Sequence, residues 1–76
     1  MEPDHAYLWE HFIRATALPD LRAANILDYG CNRGGFLRQL YQRHPFAAGR
    51  GVDIAADSLA AARQLAADLP VSFATP

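Results

Sequence analysis

The sequence is short of three features, and each shortage excludes a class of protein. Its single cysteine, Cys31, rules out an internal disulfide and a zinc site made of several cysteines. The absence of disulfides is usual for proteins of the reducing cytoplasm. No apolar run reaches ten residues, so the sequence predicts neither a signal peptide nor a membrane span. Seven basic and eight acidic residues give a net charge of −1, without the basic excess of nucleic-acid-binding proteins. We therefore expect a cytoplasmic protein with no nucleic-acid footprint in this segment.

The composition is that of a small globular domain. The 76 residues are 51% hydrophobic and 20% charged, and they include eight aromatic residues that can fill a core. A chain of this length forms one domain at most and buries only about 60% of its unfolded surface. We therefore expect one domain of modest stability.

The first 24 residues are predicted to form a helical segment ahead of the rest of the domain. Pro3 and Asp4 suit the first turn of a helix that runs to about residue 17. Glu10 and Arg14 have the spacing of an ion pair on its polar side. The apolar side of this helix is expected to pack against a sheet.

Residues 25–76 are predicted to alternate between strands and helices. Strands are predicted at residues 25–29, 51–54 and 71–74, and helices from the glycines to residue 43 and at residues 57–68. The buried side of the last helix is predicted to carry Leu59, Ala62, Leu65, Ala66 and Leu69. Because crossover connections are right-handed, this order predicts an α/β, three-layer Rossmann-like βαβαβ half-sheet with parallel strands in the spatial order 3-2-1.

The strongest motif is a glycine-rich bend between the first strand and the next helix. Residues 28–34 read Asp-Tyr-Gly-Cys-Asn-Arg-Gly, with Asp28 two residues before Gly30 and a further glycine at Gly34. Such a bend lets backbone N–H groups approach a ligand closely. Asn32 takes the middle position, and Asn tolerates positive φ well. The run resembles the first motif of the class I S-adenosylmethionine-dependent methyltransferases, acidic-x-G-x-G-x-G.

The resemblance implies that the chain is the N-terminal part of a single S-adenosylmethionine-binding Rossmann-like domain. Asp28 would accept hydrogen bonds from the cationic methionine end of that cofactor. Asp53, 25 residues later, would accept both ribose hydroxyls with its two oxygens. The predicted cofactor-binding residues are Asp28, Gly30, Cys31, Asn32, Gly34, Asp53 and Ile54.

Several of these residues also have a purely structural interpretation. Asp53 could be a solvated loop acid or a cap for the helix that begins near Asp57, and the glycines could serve the turn alone. Ile54 either lies against the adenine or packs in the core. Cys31 is expected to contact the ligand through its backbone and not to act as a nucleophile, because no histidine is close to it in the sequence.

Two other functions remain open at this point. Gly30, Asn32 and Gly35 overlay the dinucleotide pattern G-x-G-x-x-G with one substitution, and Asp53 follows 18 residues after Gly35. The Asn32 side chain and the charge of Asp28 would both hinder a pyrophosphate, which favours S-adenosylmethionine over NAD(P). The second alternative is a non-enzymatic Rossmann-like binding or assembly module, which a reading frame that ended at Pro76 would favour.

The resemblance implies methyl transfer from the cofactor to an unidentified acceptor by in-line attack, which depends on positioning and desolvation. The loop after a fourth strand usually positions the acceptor, and the sequence stops before it. We therefore expect no catalytic residue, no methyl transfer by this segment alone and weak cofactor binding.

His5, His11 and His44 lack metal-ligand spacing, so no metal site is predicted. The first strand should self-associate through its open edge, unless the N-terminal helix covers that edge.

Overall fold

The computed structural model describes residues 9–14 and 18–76 of the chain. Residues 9–14 are helical and are named α1. The elements that follow are β1 Asn25–Tyr29, α2 Gly35–Arg43, β2 Ala48–Val52, α3 Ala56–Leu65 and β3 Val71–Ala74. The predicted start of the first helix at Pro3 and Asp4, and its predicted end near residue 17, lie outside the described residues.

The three strands form one parallel sheet in the order β1-β2-β3, which confirms the predicted 3-2-1 arrangement. In the register of β1 and β2, Asp28 lies beside Gly51 and Tyr29 beside Val52. The carboxyl ends of these two strands are therefore level. The loops that follow them emerge at the same edge of the sheet, where ligands bind in open α/β folds.

The core lies between one face of the sheet and the two crossover helices. Leu37 of α2, together with Leu59 and Ala62 of α3, is buried in one cluster that also contains Phe73 of β3. Because both helices cover the same face of the sheet, the side chain of Leu27 in β1 is 63% exposed on the other face. The described residues thus supply the sheet and one helical layer of the three-layer arrangement. No helix among them is long and apolar enough to cross a bilayer.

Two predicted boundaries are wrong. The second strand spans Ala48–Val52 and not residues 51–54, because pairing with both neighbours holds its Gly-containing start in the sheet despite a low strand propensity. The third helix ends at Leu65 and not near residue 68. Leu65 itself is 52% exposed, so it does not belong to the buried side that was predicted for this helix. In contrast, α2 ends before His44 as predicted, where the residue before a proline leaves the helical region.

The described part of α1 packs on α2. Trp9 and Phe12 both lie with their ring centroids 6.3 Å from that of Phe36. The predicted pair of Glu10 and Arg14 is confirmed at 3.1 Å. Glu10 also accepts a hydrogen bond from Arg43 at the end of α2, at 3.3 Å. Ile13 is buried in the core cluster, so α1 extends the helical layer that covers the sheet.

Candidate functional site

The bend after β1 is built from three residues with left-handed backbone. Gly30, Asn32 and Gly34 have φ values of 81°, 52° and 75°. A Cβ added to Gly30 would meet nothing within 4 Å, so the backbone is bare on that side and open to a ligand. Gly34 differs, because an added Cβ would lie 3.0 Å from the ring of Phe73. Gly30 thus gives access to the bend, whereas Gly34 also allows the start of α2 to pack closely on β3.

Asp28 and Asp53 come together at this end of the sheet. Asp28 is the fourth residue of β1, and Asp53 directly follows β2. Partial burial raises the pKa of the Asp28 carboxyl, and the negative charge of Asp53 raises it further. The level register of β1 and β2 places both carboxylates at the same edge of the sheet. The edge beside the bend is therefore negative, which attracts a cation and repels a phosphate.

Two backbone N–H groups bind the Asp53 carboxylate, and one of them belongs to the bend. The Ala55 N–H donates to Asp53 Oδ1 at 2.9 Å, and the Asn32 N–H donates to Asp53 Oδ2 at 2.9 Å. These two bonds hold the pKa of the Asp53 carboxyl below its usual value. The sequence predicted that both motifs serve one ligand, and this hydrogen bond links them directly over 21 residues of sequence. No local pattern could have predicted it.

Cys31 forms the underside of the bend. Its side chain is 2% exposed, and its backbone N–H donates to the Val52 carbonyl at 3.0 Å. Burial raises the pKa of the Cys31 thiol, and the charges of Asp28 and then Asp53 add to the effect. A thiol that resists ionisation is a poor nucleophile at neutral pH. The backbone ligand contact expected of Cys31 stays a prediction.

Gly51 supports the site, and sequence reasoning missed it. A Cβ at this position would lie 2.6 Å from Phe73 Cδ1 and 2.7 Å from Cys31 Sγ. Because Gly51 has no side chain, the side chain of Cys31 can pack against it beneath the bend. A glycine inside a strand is itself a sign of close approach by another part of the chain, so a signal for this role was present in the sequence.

Ile54 lies on the same edge as the bend and is 85% exposed. Of its two predicted roles, core packing is therefore wrong. A ligand contact stays a prediction, and an apolar side chain this exposed beside a loop is suited to it. No group of three or more potential metal ligands occurs in residues 9–14 and 18–76.

A groove of about 410 Å³ lies elsewhere, along the outer edge of β3. Its walls include Arg63, Ala66 and Val71. Arg63 donates a hydrogen bond to the Phe73 carbonyl at 2.8 Å and so occupies one of the backbone acceptors on that edge. The groove lies on the β3 side of the sheet, whereas the bend follows β1, and β2 lies between these two strands.

Comparison with solved structures identifies the fold. A chain in the complex of the Haloferax volcanii Trm112 methyltransferase activator with its methyltransferase matches 96% of this chain with a TM-score of 0.79 and 22% identity. Geranyl diphosphate methyltransferase bound to S-adenosylmethionine matches 93% with a TM-score of 0.78 and 21% identity. The fold is that of the class I methyltransferases. An S-adenosylmethionine-dependent methyltransferase from Mesorhizobium loti matches 87% with a TM-score of 0.70 and 27% identity.

The class I methyltransferase fold is represented here only in part. The chain covers 32%, 29% and 30% of the lengths of those three structures. No family model matches the sequence, and no curated protein is similar enough to match it. The likeness therefore lies in the arrangement of strands, helices and bend more than in sequence identity.

Proposed function

We propose that this chain is the S-adenosylmethionine-binding portion of a methyltransferase. The observation that carries the proposal is that two carboxylates, Asp28 and Asp53, lie at the same edge of the sheet as an open left-handed bend. Their shared negative field suits a nucleoside that carries a positive charge, and it opposes the pyrophosphate of a dinucleotide. When bound, S-adenosylmethionine would supply an electrophilic methyl group on its sulfonium sulfur.

The residues around the bend fit that cofactor. Asp28 would accept hydrogen bonds from the ammonium end, and Asp53 would accept them from the ribose. The exposed Ile54 side chain would lie against the adenine. Gly30 and Asn32 would bring backbone close to the ligand, as would Cys31 and Gly34 on the inner side of the bend. The acceptor would be held by parts of the longer structures that this chain does not cover.

Titration with S-adenosylhomocysteine, followed by amide chemical shifts, tests the proposal. We expect the residues of the bend, Gly30 to Gly34, and Asp53 to shift first. Binding should be weak, with a Kd on the order of a millimolar, because much of a full adenine pocket would lie outside this chain. NAD, titrated in parallel at the same concentrations, should leave the bend unshifted. Shifts confined to other regions, or a stronger response to NAD, would count against the proposal.

The open edge of β1 leads to a second expectation, self-association. Gly30 N–H and the Ala24 carbonyl both bond towards β2. Because backbone groups alternate along a strand, those of Leu27 and Tyr29 point away from β2. Both side chains are also exposed, by 63% and 72%. The opposite edge of the sheet is partly blocked by the bond from Arg63 to Phe73, so we expect pairing through β1.

Sedimentation at increasing protein concentration measures this self-association. The wild-type chain should shift towards a dimer, and Leu27→Lys should remain monomeric because a lysine on an edge strand opposes pairing. Leu65→Lys is the matched control, since Leu65 is 52% exposed on α3 and the charge change is the same. A monomeric wild type at high concentration, with fast amide exchange from Ile26 to Asp28, would contradict the expectation.

A further inference from the structure

The position of the Asp53 carboxylate is determined by backbone from two different loops. One oxygen is held by the N–H of Asn32 in the bend, and the other by the N–H of Ala55 at the start of α3. With one fixed donor on each oxygen, the plane of the carboxylate cannot turn without breaking a bond. An isolated exposed carboxylate has no such restriction.

This arrangement leaves acceptor capacity on both oxygens. A carboxylate offers about four lone-pair sites, and the two backbone bonds occupy one site on each oxygen. The acceptor sites left on the two oxygens can take the two O–H donors of a vicinal diol. The ribose of a nucleoside presents such a diol at its 2′ and 3′ positions.

We infer that Asn32 is a positioning residue, whose left-handed backbone aims the Asp53 carboxylate so that the site selects ribonucleosides over deoxyribonucleosides. The inference rests on the proposed function, which brings a nucleoside to the bend. The Asn32 side chain is exposed, so its contribution is conformational. Asparagine and glycine accept a φ of 52°, whereas a β-branched residue strongly disfavours it and would turn the N–H away from Asp53.

The variant Asn32→Val tests this role, and the neighbouring Arg33→Val is its matched control. Arg33 is exposed in the same bend, and Asn32 is the non-glycine residue with positive φ in the described part of the chain. Asn32→Gly is the conservative variant and should keep the hydrogen bond from residue 32 to Asp53, because glycine accepts the same left-handed backbone. If the valine variant loses the amide signals of β1 and β2, Asn32→Ala provides the same comparison with a milder disturbance.

The first readout needs no ligand. Carbon chemical shifts of the Asp53 carboxyl, followed through an acid titration, should show a pKa below the usual value in wild type, Arg33→Val and Asn32→Gly. In Asn32→Val the pKa should rise towards the usual value, because one of the two backbone bonds is lost. An unchanged titration in Asn32→Val would overturn the inference.

The second readout is the ratio of the dissociation constants of 2′-deoxyadenosine and adenosine. We expect roughly a tenfold ratio or more in wild type, from the loss of one hydrogen bond to a charged acceptor. In Asn32→Val the ratio should fall to about twofold, and in Arg33→Val and Asn32→Gly it should be retained. If Asn32→Val keeps the wild-type ratio of the two dissociation constants, the inference about Asn32 is wrong, and the proposed function is not affected. If wild type binds neither nucleoside nor S-adenosylhomocysteine, the proposed function is wrong.

Discussion

Replacing Gly51 by alanine is expected to lower the free energy of unfolding by about 2–3 kcal/mol, the upper part of the range for overpacked cores. The added methyl would lie 2.6 Å from the Phe73 ring and 2.7 Å from Cys31 Sγ, closer than atoms can approach. Both neighbours are buried, so neither can move into solvent. For a domain of this length the loss corresponds to a fall in melting temperature of roughly 10–20 °C, measurable by thermal or chemical denaturation.

Two further variants separate crowding from other effects of the substitution. Gly30→Ala places its methyl group in open space. Its free energy of unfolding should therefore fall only by roughly 1–2 kcal/mol, which is the cost of left-handed backbone for a non-glycine residue. In Cys31→Ala the sulfur is absent, and Gly51→Ala should then be less destabilising by about 1 kcal/mol. If the two substitutions were additive to within about 0.3 kcal/mol, the proposed contact between Gly51 and Cys31 would have no energetic role.

The Asp28→Asn variant is expected to become more stable while losing affinity for S-adenosylhomocysteine. The folded state raises the pKa of Asp28 through partial burial and the nearby charge of Asp53. Its ionised form is therefore unfavourable in the fold at neutral pH. We expect a gain of about 0.5 kcal/mol, at the low end for such changes because the carboxylate is half exposed. The affinity should fall about tenfold or more, as expected when an amide replaces a charged acceptor.

The pH dependence has a definite sign. Because the folded-state pKa of Asp28 is raised, its contribution favours folding below the unfolded-state pKa and is lost as pH rises through the folded-state pKa. The stability advantage of Asp28→Asn should therefore be present at neutral pH and shrink in acid. Binding of S-adenosylhomocysteine by wild type should weaken over the same acidic range, as Asp28 takes up a proton.

Asp57→Asn is the control for the change in net charge. Asp57 is exposed in the first turn of α3, and its replacement removes one negative charge. Asp57→Asn should lower the free energy of unfolding by a few tenths of a kcal/mol, because it removes a favourable interaction with the helix dipole. The affinity for S-adenosylhomocysteine should be unchanged. Equal losses of affinity in both variants would show that Asp28 acts only through overall charge. Chemical denaturation from pH 4 to 8 and ligand titration provide the two measurements.

The sequence by itself determined the elements and the bend, because these depend on neighbouring residues. Apolar periodicity placed β1, α2 and β3, and the run from Asp28 to Gly34 predicted a left-handed turn, which the structure confirms down to Asn32. The position of Pro45 predicted the end of α2. These are short-range steric effects that act within a few residues of the chain.

Only the tertiary structure decided how those parts support one another. The start of β2, the space that Gly51 leaves for Cys31 and the exposure of Ile54 all depend on residues that are distant in sequence. The bond from Asn32 to Asp53 joins two loops that only the parallel pairing of β1 and β2 brings level. Pairing and packing of this kind depend on contacts between residues that are far apart in the sequence.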